Sequence, residues 1–403
     1  MSHALLSPPK QENPSHAGAD TTSGGAATGH AAPLSPTAAH SRLTLRQRLD
    51  RWRRFLKVGL LQGTTLGKRW LRPELLSLTV ELCRACNLRC TYCAMHGEVA
   101  DRNRIHLPST YFLDPALLET ILKDLDAART KIPLNLSYSG EALLHPRFVE
   151  IMNLLGRRGH ASICGFTTNG MLLDEARSAA IVRNGIGEVC ISVDGDGEGH
   201  ELRRRRSAYS RIMANVLRLI ELRDAAGSSR PRVTLKAVAG GCSSADFEAF
   251  LQTYLPKVQR ITLIPEIPVH QQVRLPYRGL PSCSFPFTSL TVASDGAVAL
   301  CCFDVGGMAV RDLRLNVRER GILEVFHGPE MTALRRAMLE RRADALPRLC
   351  RGCTAYDTVG AFRPGRYALI ERSSERTVYT SGMATTYLPG RRGLFSTLLG
   401  RWR

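Results

Sequence analysis

From Leu76 onward the chain alternates two apolar patterns. Short β-rich runs at Leu76–Leu82, Leu134–Tyr138, Ser162–Thr167, Glu188–Val193, Val233–Val238 and Arg260–Ile264 predict strands. Between them, apolar residues recur at helical spacing near Pro115–Arg129, Pro146–Arg157, Asp174–Arg183, Tyr209–Ala226 and Ala245–Tyr254. Strands separated by helices argue for an α/β fold of parallel βα units with right-handed crossovers. Six units are too few to close an eight-fold barrel. Beyond them, Pro265–Pro281 reads as a connector. Two apolar runs then flank a Ser294-Asp295-Gly296 turn, which predicts a β-hairpin, and a helical stretch covers Glu330–Arg342.

The two ends follow different patterns. Residues 1–40 are rich in Ser, Pro, Gly, Ala and Thr and poor in large apolar residues, so a disordered tail is expected. Residues 41–72 place Leu45, Leu49, Trp52 and Leu56 on one helical face among Arg46, Arg48, Arg51, Arg53 and Arg54. The last ten residues repeat this weakly with Leu394, Leu398 and Trp402. Either end could pack on the fold or lie against an anionic membrane surface.

Charge adds one distinction. The formal net charge of +19 is concentrated at the ends, with ten basic residues against one acidic in 41–72 and eight against two in 360–403. A basic groove across the whole fold, as a specific nucleic-acid partner would need, is therefore not expected. The run Arg203–Arg206 is a local exception, read either as a solvated loop or as an anion contact. No apolar run is long enough to span a bilayer and no secretory pattern opens the chain, so a cytoplasmic protein, either free or peripheral to the inner membrane surface, is expected.

Cysteines carry the candidate chemistry. Cys86, Cys90 and Cys93, spaced C-x-x-x-C-x-x-C, follow the first predicted strand. Three thiolates on one loop can hold three irons of a four-iron four-sulfur cube and leave the fourth open. A second set comprises Cys283, Cys301 or Cys302, Cys350 and Cys353; the hairpin brings its two strand ends together and Cys350-Arg351-Gly352-Cys353 makes a tight turn. Four thiolates suit a closed iron-sulfur site, and tetrahedral zinc is the alternative. Cys83, Cys164, Cys190 and Cys242 are read as non-ligands; Cys164 and Cys190 lie inside predicted strands.

The loop "ELCRACNLRCTYC" resembles the cluster loop of the radical S-adenosylmethionine (SAM) enzymes. Successive strand ends resemble further family motifs. Ser139-Gly140-Glu141-Ala142 is similar to Gly-Gly-Glu-Pro, departing at two positions; Thr167-Thr168-Asn169-Gly170 and Ser192-Val193-Asp194-Gly195 follow in order. The resemblance covers residues 76–357 and implies an open (βα)6 partial barrel over 73–268. A small cysteine-rich SPASM or twitch-type domain of β-hairpin plus helix follows over 269–360, with a basic extension at 361–403. It implies that Cys86, Cys90 and Cys93 hold a 4Fe-4S cluster that binds SAM. Tyr92 is then expected near the adenine, Gly140 and Glu141 at the amino group, and Asn169, Ser192 and Asp194 around the remainder of SAM. The resemblance also implies an auxiliary 4Fe-4S cluster on Cys283, Cys301, Cys350 and Cys353, with Cys301 preferred over Cys302 for its distance from the turn glycine. The implied reaction is reductive cleavage of SAM to a 5′-deoxyadenosyl radical and hydrogen abstraction from a small molecule, giving net oxidation. Modification of a ribosomal peptide or protein, and a non-catalytic zinc or iron-sulfur module, are the alternatives. An electron donor such as flavodoxin or ferredoxin is the implied partner.

Overall fold

The computed structural model describes residues 72–93, 95–97, 112–195, 197–238, 243–264, 283–301, 304 and 307–351, together with the backbone of 368–372, 376–381 and 384–389. The expected tail, the basic helix of 41–71, the connector, Cys242, Cys302, Cys353 and the last ten residues lie outside the described residues.

The barrel strands are β1 (Ser77–Val80), β3 (Leu134–Asn135), β4 (Cys164–Thr168), β5 (Glu188–Ser192), β7 (Arg232–Val238) and β8 (Arg260–Ile264). Two short strands, β2 (Arg89–Cys90) and β6 (Arg204–Arg205), pair with each other apart from this sheet. The helices between are α1 (Pro115–Ala127), α2 (Phe148–Arg157), α3 (Glu175–Arg183), α4 (Gly197–Arg203), α5 (Tyr209–Ala225) and α6 (Ser244–Tyr254). Their starts follow side-chain capping: Asp114 accepts from Ala116 N, Asp174 from Arg177 N, and Ser243 with Asp246 forms a capping box. Neither α4 nor β6 is predicted by hydrophobic pattern, because both lie in the polar, Arg-rich stretch after Asp194.

All pairings from β1 through β8 in the order β1, β3, β4, β5, β7, β8 are parallel. This is the partial α/β barrel. Leu78, Val80, Val189, Ile191, Val233 and Leu235 face the helices and join Leu118, Ile121, Ile151, Leu155, Ile212 and Val216 in one buried core. The alternate residues, among them Thr79, Thr167, Cys190 and Lys236, line the concave interior.

The C-terminal cysteine region is built from α7 (Phe285–Thr288), β9 (Ser289–Val292), β10 (Val298–Ala299), α8 (Met308–Leu313), α9 (Ile322–His327), α10 (Pro329–Leu339) and α11 (Arg348–Arg351). β9 and β10 form the expected hairpin, with Val292 opposite Val298 and Gly296 at φ +87° in the turn. Sequence pattern alone does not show that β9 also pairs in parallel with β1, Ser77 with Ser289 through Val80 with Val292. The barrel sheet thus continues into the hairpin. At the other edge β11 (Ala368–Arg372), β12 (Arg376–Ser381) and β13 (Ala384–Pro389) make an antiparallel meander, with β13 beside β8, within the stretch expected as a basic extension.

Candidate active site

The expected first strand stops at Val80 because Glu81 is recruited elsewhere. Its carboxylate is fully buried and accepts from Ser139 N at 3.0 Å, from the Ser139 hydroxyl and from Ser294 N at 3.3 Å, while Arg84 lies 3.4 Å away. One acid therefore ties together the end of β1, the loop after β3 and the hairpin turn. Unpaired, it would carry a heavy desolvation cost.

The cysteine loop that follows wraps its sulfurs in backbone donors. Leu88 N lies 3.5 Å from Cys86 Sγ, and Met95 N and His96 N each lie 3.4 Å from Cys93 Sγ. Cys93 N donates to Cys90 O at 3.0 Å. Two glycines close the loop. A Cβ on Gly97 would sit 2.1 Å from Cys90 O, and one on Gly140 would sit 2.3 Å from Cys83 O and 2.7 Å from Ala85 O. The motif after β3 thus lies directly against the backbone that leads into Cys86, and Glu141 N donates to Ala85 O at 2.8 Å.

The strand ends deliver the other expected residues. Glu141 is buried, and its carboxylate accepts from Thr168 Oγ1 at 2.7 Å, Asn169 N at 2.8 Å and Leu143 N at 3.2 Å. Burial raises its pKa against the opposing pull of these donors. Asn169 donates through Nδ2 to Asn87 Oδ1 at 2.8 Å, with Cys86 Sγ 4.0 Å away. Ser192 ends β5, in register with Lys236 of β7.

Tyr92 donates its hydroxyl to Asp194 Oδ2 at 2.6 Å. Asp194 also pairs with Arg204, Nε to Oδ2 2.9 Å and Nη2 to Oδ1 3.0 Å, and accepts from Val238 N at 2.9 Å. Burial works to raise the Asp194 pKa, but the Arg204 charge and these hydrogen bonds take it below the usual value. Cys90 pairs across β2 and β6 with Arg204, whose guanidinium lies 5.5 Å from the Tyr92 ring, and that of Arg203 lies 5.0 Å away. The arginine run is therefore neither a free loop nor, at Arg204, an open anion contact. It clamps the cysteine loop. Glu81 and Gly97 escape a reading of the sequence, and Arg204 is legible there only as one member of the arginine run; the acid ending an apolar run is the one local signal for Glu81.

In the C-terminal region Cys283 precedes α7, Cys301 follows β10 and Cys350 lies buried in α11. Asp304, also buried, accepts from Ala309 N and Val310 N at the start of α8, and its own N–H reaches Cys301 O at 3.1 Å. Asp312 of α8 holds Arg348 of α11. Arg335 donates to Pro286 O at 2.7 Å and Phe326 O at 2.6 Å, fixing the turn after Cys283. Tyr138 stands between the two cysteine regions, its hydroxyl 3.5 Å from Cys301 O and its ring 6.0 Å from the Arg84 guanidinium.

Two family descriptions match these same regions: the radical SAM superfamily over residues 80–228 and the SPASM iron-sulfur cluster-binding domain over residues 283–354. The chain belongs to the radical SAM superfamily. Two curated relatives of this radical SAM protein are GTP 3′,8-cyclase of Chlorobaculum tepidum, 27% identical over 173 residues, and a tungsten-containing aldehyde ferredoxin oxidoreductase cofactor-modifying protein of Pyrococcus furiosus, 25% identical over 166 residues. The matches cover 42% and 40% of the chain, and 46% and 43% of those relatives, so it spans under half of their length. Among solved structures, Streptococcus suis SuiB bound to the precursor peptide SuiA shares the fold, with a TM-score of 0.53 at 11% identity, covering 83% of this chain and 81% of that one.

A radical SAM domain takes a 4Fe-4S cluster with SAM, and a SPASM domain takes auxiliary iron-sulfur clusters. The donor chemistry of this radical SAM chain fits. Burial pushes the Cys86 thiol up to about 12 and also raises Cys90, so these sulfurs become thiolate ligands only beside a strong positive centre. Among the described residues no group of three His, Cys, Asp or Glu side chains converges on a single ion. A cube, which takes one sulfur per corner, holds its ligands farther apart than one ion does. No helix among the described residues is long and apolar enough to cross a membrane.

His200 gives the site a pH signature. It is buried, accepts from Asp194 N through Nδ1 at 3.1 Å, and its pKa falls to about 4, by burial first and then by Arg204. A histidine depressed from 6.5 stabilises the fold fully above pH 6.5, and this contribution is lost as pH falls toward 4. Between pH 7.5 and 5.5 it should amount to roughly 1 kcal/mol. Urea unfolding of wild type and His200→Gln at both pH values checks this; equal pH slopes would contradict it.

Proposed function

We propose that this chain cleaves SAM reductively and abstracts hydrogen from a small molecule, with net oxidation supported by an auxiliary cluster. The carrying observation is the cysteine loop gripped from three successive strand ends, through Gly140 and Glu141, through Asn169, and through Asp194 with Tyr92. In this reading Cys86, Cys90 and Cys93 hold the SAM cluster, and Cys283, Cys301, Cys350 and Cys353 hold the auxiliary one. Tyr92, Gly140, Glu141, Asn169, Ser192 and Asp194 form the SAM site. When bound, the reduced cluster and SAM together supply a radical able to take hydrogen from an unactivated carbon.

The chain's own residues position and shield. Because the Glu141 carboxylate is spent on Thr168, Asn169 and Leu143, it fixes the Gly140–Glu141 backbone beside Cys86. Asp194, Arg204 and Tyr92 do the same for Cys90 and Cys93. A small substrate is supported by the two curated relatives, named for acting on GTP and on a cofactor. A peptide substrate is the second reading, supported by the fold shared with SuiB, whose structure holds a precursor peptide. Flavodoxin or ferredoxin would serve as electron donor.

Anaerobic reconstitution with iron and sulfide, then reduction in the presence of SAM, tests the proposal. Release of 5′-deoxyadenosine is expected. Failure to incorporate iron and sulfide, or to release that product, would sink it. About eight irons per chain support two clusters, whereas about four with one zinc would assign the auxiliary site to zinc.

A further inference from the structure

The concave side of the barrel sheet opens into a cavity of about 630 Å³, lined mainly at the strand starts by Ser77, Leu134, Cys164 and Glu188 and reaching Lys236; that volume is within the size range of small-molecule sites. Its charged lining consists of Glu188, Arg232, Lys236 and Arg260, three cations against one carboxylate. Strand register stacks them in rows. Glu188 faces Arg232; one row toward the mouth, Cys190, Thr234 and Arg260 align; one row further, Ser192, Lys236 and Thr262 align. Above that, Val238 N reaches Asp194. Positive charge thus runs from the cavity floor to the row of Ser192.

The single carboxylate is already shared. Glu188 pairs with Arg232 Nη2 at 3.0 Å through one oxygen and with Arg260 Nη2 through the other. It also accepts from Thr234 Oγ1 at 3.3 Å. Arg232 Nε is buried without a hydrogen-bond partner among the described residues. Lys236 forms no ion pair or side-chain hydrogen bond among them either. Gly165, across from Glu188, contributes no side chain; a Cβ there would come within 3.1 Å of Glu188 O. Three cations against one carboxylate lining this cavity leave an excess of positive charge that an anion would complete.

We propose that the barrel interior is the substrate site and that it takes a substrate bearing a carboxylate or phosphate group, held by Lys236 with Arg232 and Arg260. This rests on the SAM-dependent reading above and adds the charge class of the substrate. The held group fixes one end of the molecule below the row of Ser192, so that its remainder extends toward the mouth where Asn169 and Asp194 lie. A rival source of the same chemistry is the carboxylate of SAM itself, since Lys236 shares a row with Ser192.

The test uses the reconstituted full chain with inorganic pyrophosphate, malonate and SAM as separate probes. It reads equilibrium binding together with mass-spectrometric footprinting of lysine acylation. Pyrophosphate or malonate should protect Lys236 from acylation, and the tighter of the two identifies the preferred group. Lys236→Gln should weaken that binding about tenfold or more. Glu188→Gln, which frees both guanidiniums, should tighten it, an opposite sign that a folding defect would not produce. Protection of Lys236 by SAM alone would overturn the proposal in favour of the cofactor. Pyrophosphate and malonate affinities unchanged in both variants would remove the site altogether. Release of 5′-deoxyadenosine by wild type in the same preparation tests the underlying reading separately. If that product forms while neither anion binds, this inference alone falls; if an anion binds but SAM is not cleaved, the reading beneath it falls.

Discussion

Cys90→Ala should abolish SAM cleavage, lowering 5′-deoxyadenosine release by at least about a thousandfold, or roughly 4 kcal/mol of barrier. Of the three loop cysteines, Cys90 is the one embedded in β2, opposite Arg204 of β6, so its sulfur is placed by a strand pairing rather than by a free loop. Two remaining thiolates cannot hold a cube by three corners. Iron should fall by about half while the auxiliary absorbance remains. Cys164→Ala, a buried β4 position away from both cysteine sets, is the control. Cys353→Ala should separate the two roles, sparing part of the SAM cleavage while stopping net turnover. Equal loss of cleavage in Cys90→Ala and Cys353→Ala would contradict that division.

The second large effect is expected at a residue with no cysteine chemistry. Asp194→Asn strands the buried Arg204 guanidinium, which now has both carboxylate oxygens as partners. Breaking a buried pair from one side costs about 3–5 kcal/mol, because the remaining charge keeps its desolvation penalty. Tyr92 also loses a charged acceptor, so the cysteine loop should loosen and SAM affinity should fall with stability. Denaturant unfolding of the single variant and of Asp194→Asn with Arg204→Met checks this. The double variant should recover part of the loss, since no charge is left unpaired. A single-variant loss below about 1 kcal/mol would show that the pair is not what holds the loop.

Asp194 marks the boundary between what a sequence displays and what folding arranges. As the acid just after a strand in a Ser-x-Asp-Gly motif, it is legible as a candidate site residue. That its carboxylate is committed to Arg204, Tyr92 and Val238 is not legible, because these lie 10, 102 and 44 residues away in the chain. Glu81 repeats the lesson: it reads as a polar interruption of an apolar run, yet its partners include Ser294, 213 residues on.

The sequence by itself determined the α/β repeat, through apolar periodicities of two and 3.6, and the order of motifs at strand ends. It also marked the cysteine loop as a candidate cluster site, because three thiols at that spacing are a local property. Tertiary structure alone decided the parallel pairing of β9 with β1, the meander beside β8, the clamp of Arg204 on Tyr92, and the stacking of three cations inside the barrel. Each of these depends on strand register and on charges that meet only after the sheet has curved. An alternating strand shows which residues point inward, but not which inward residues of other strands they will face.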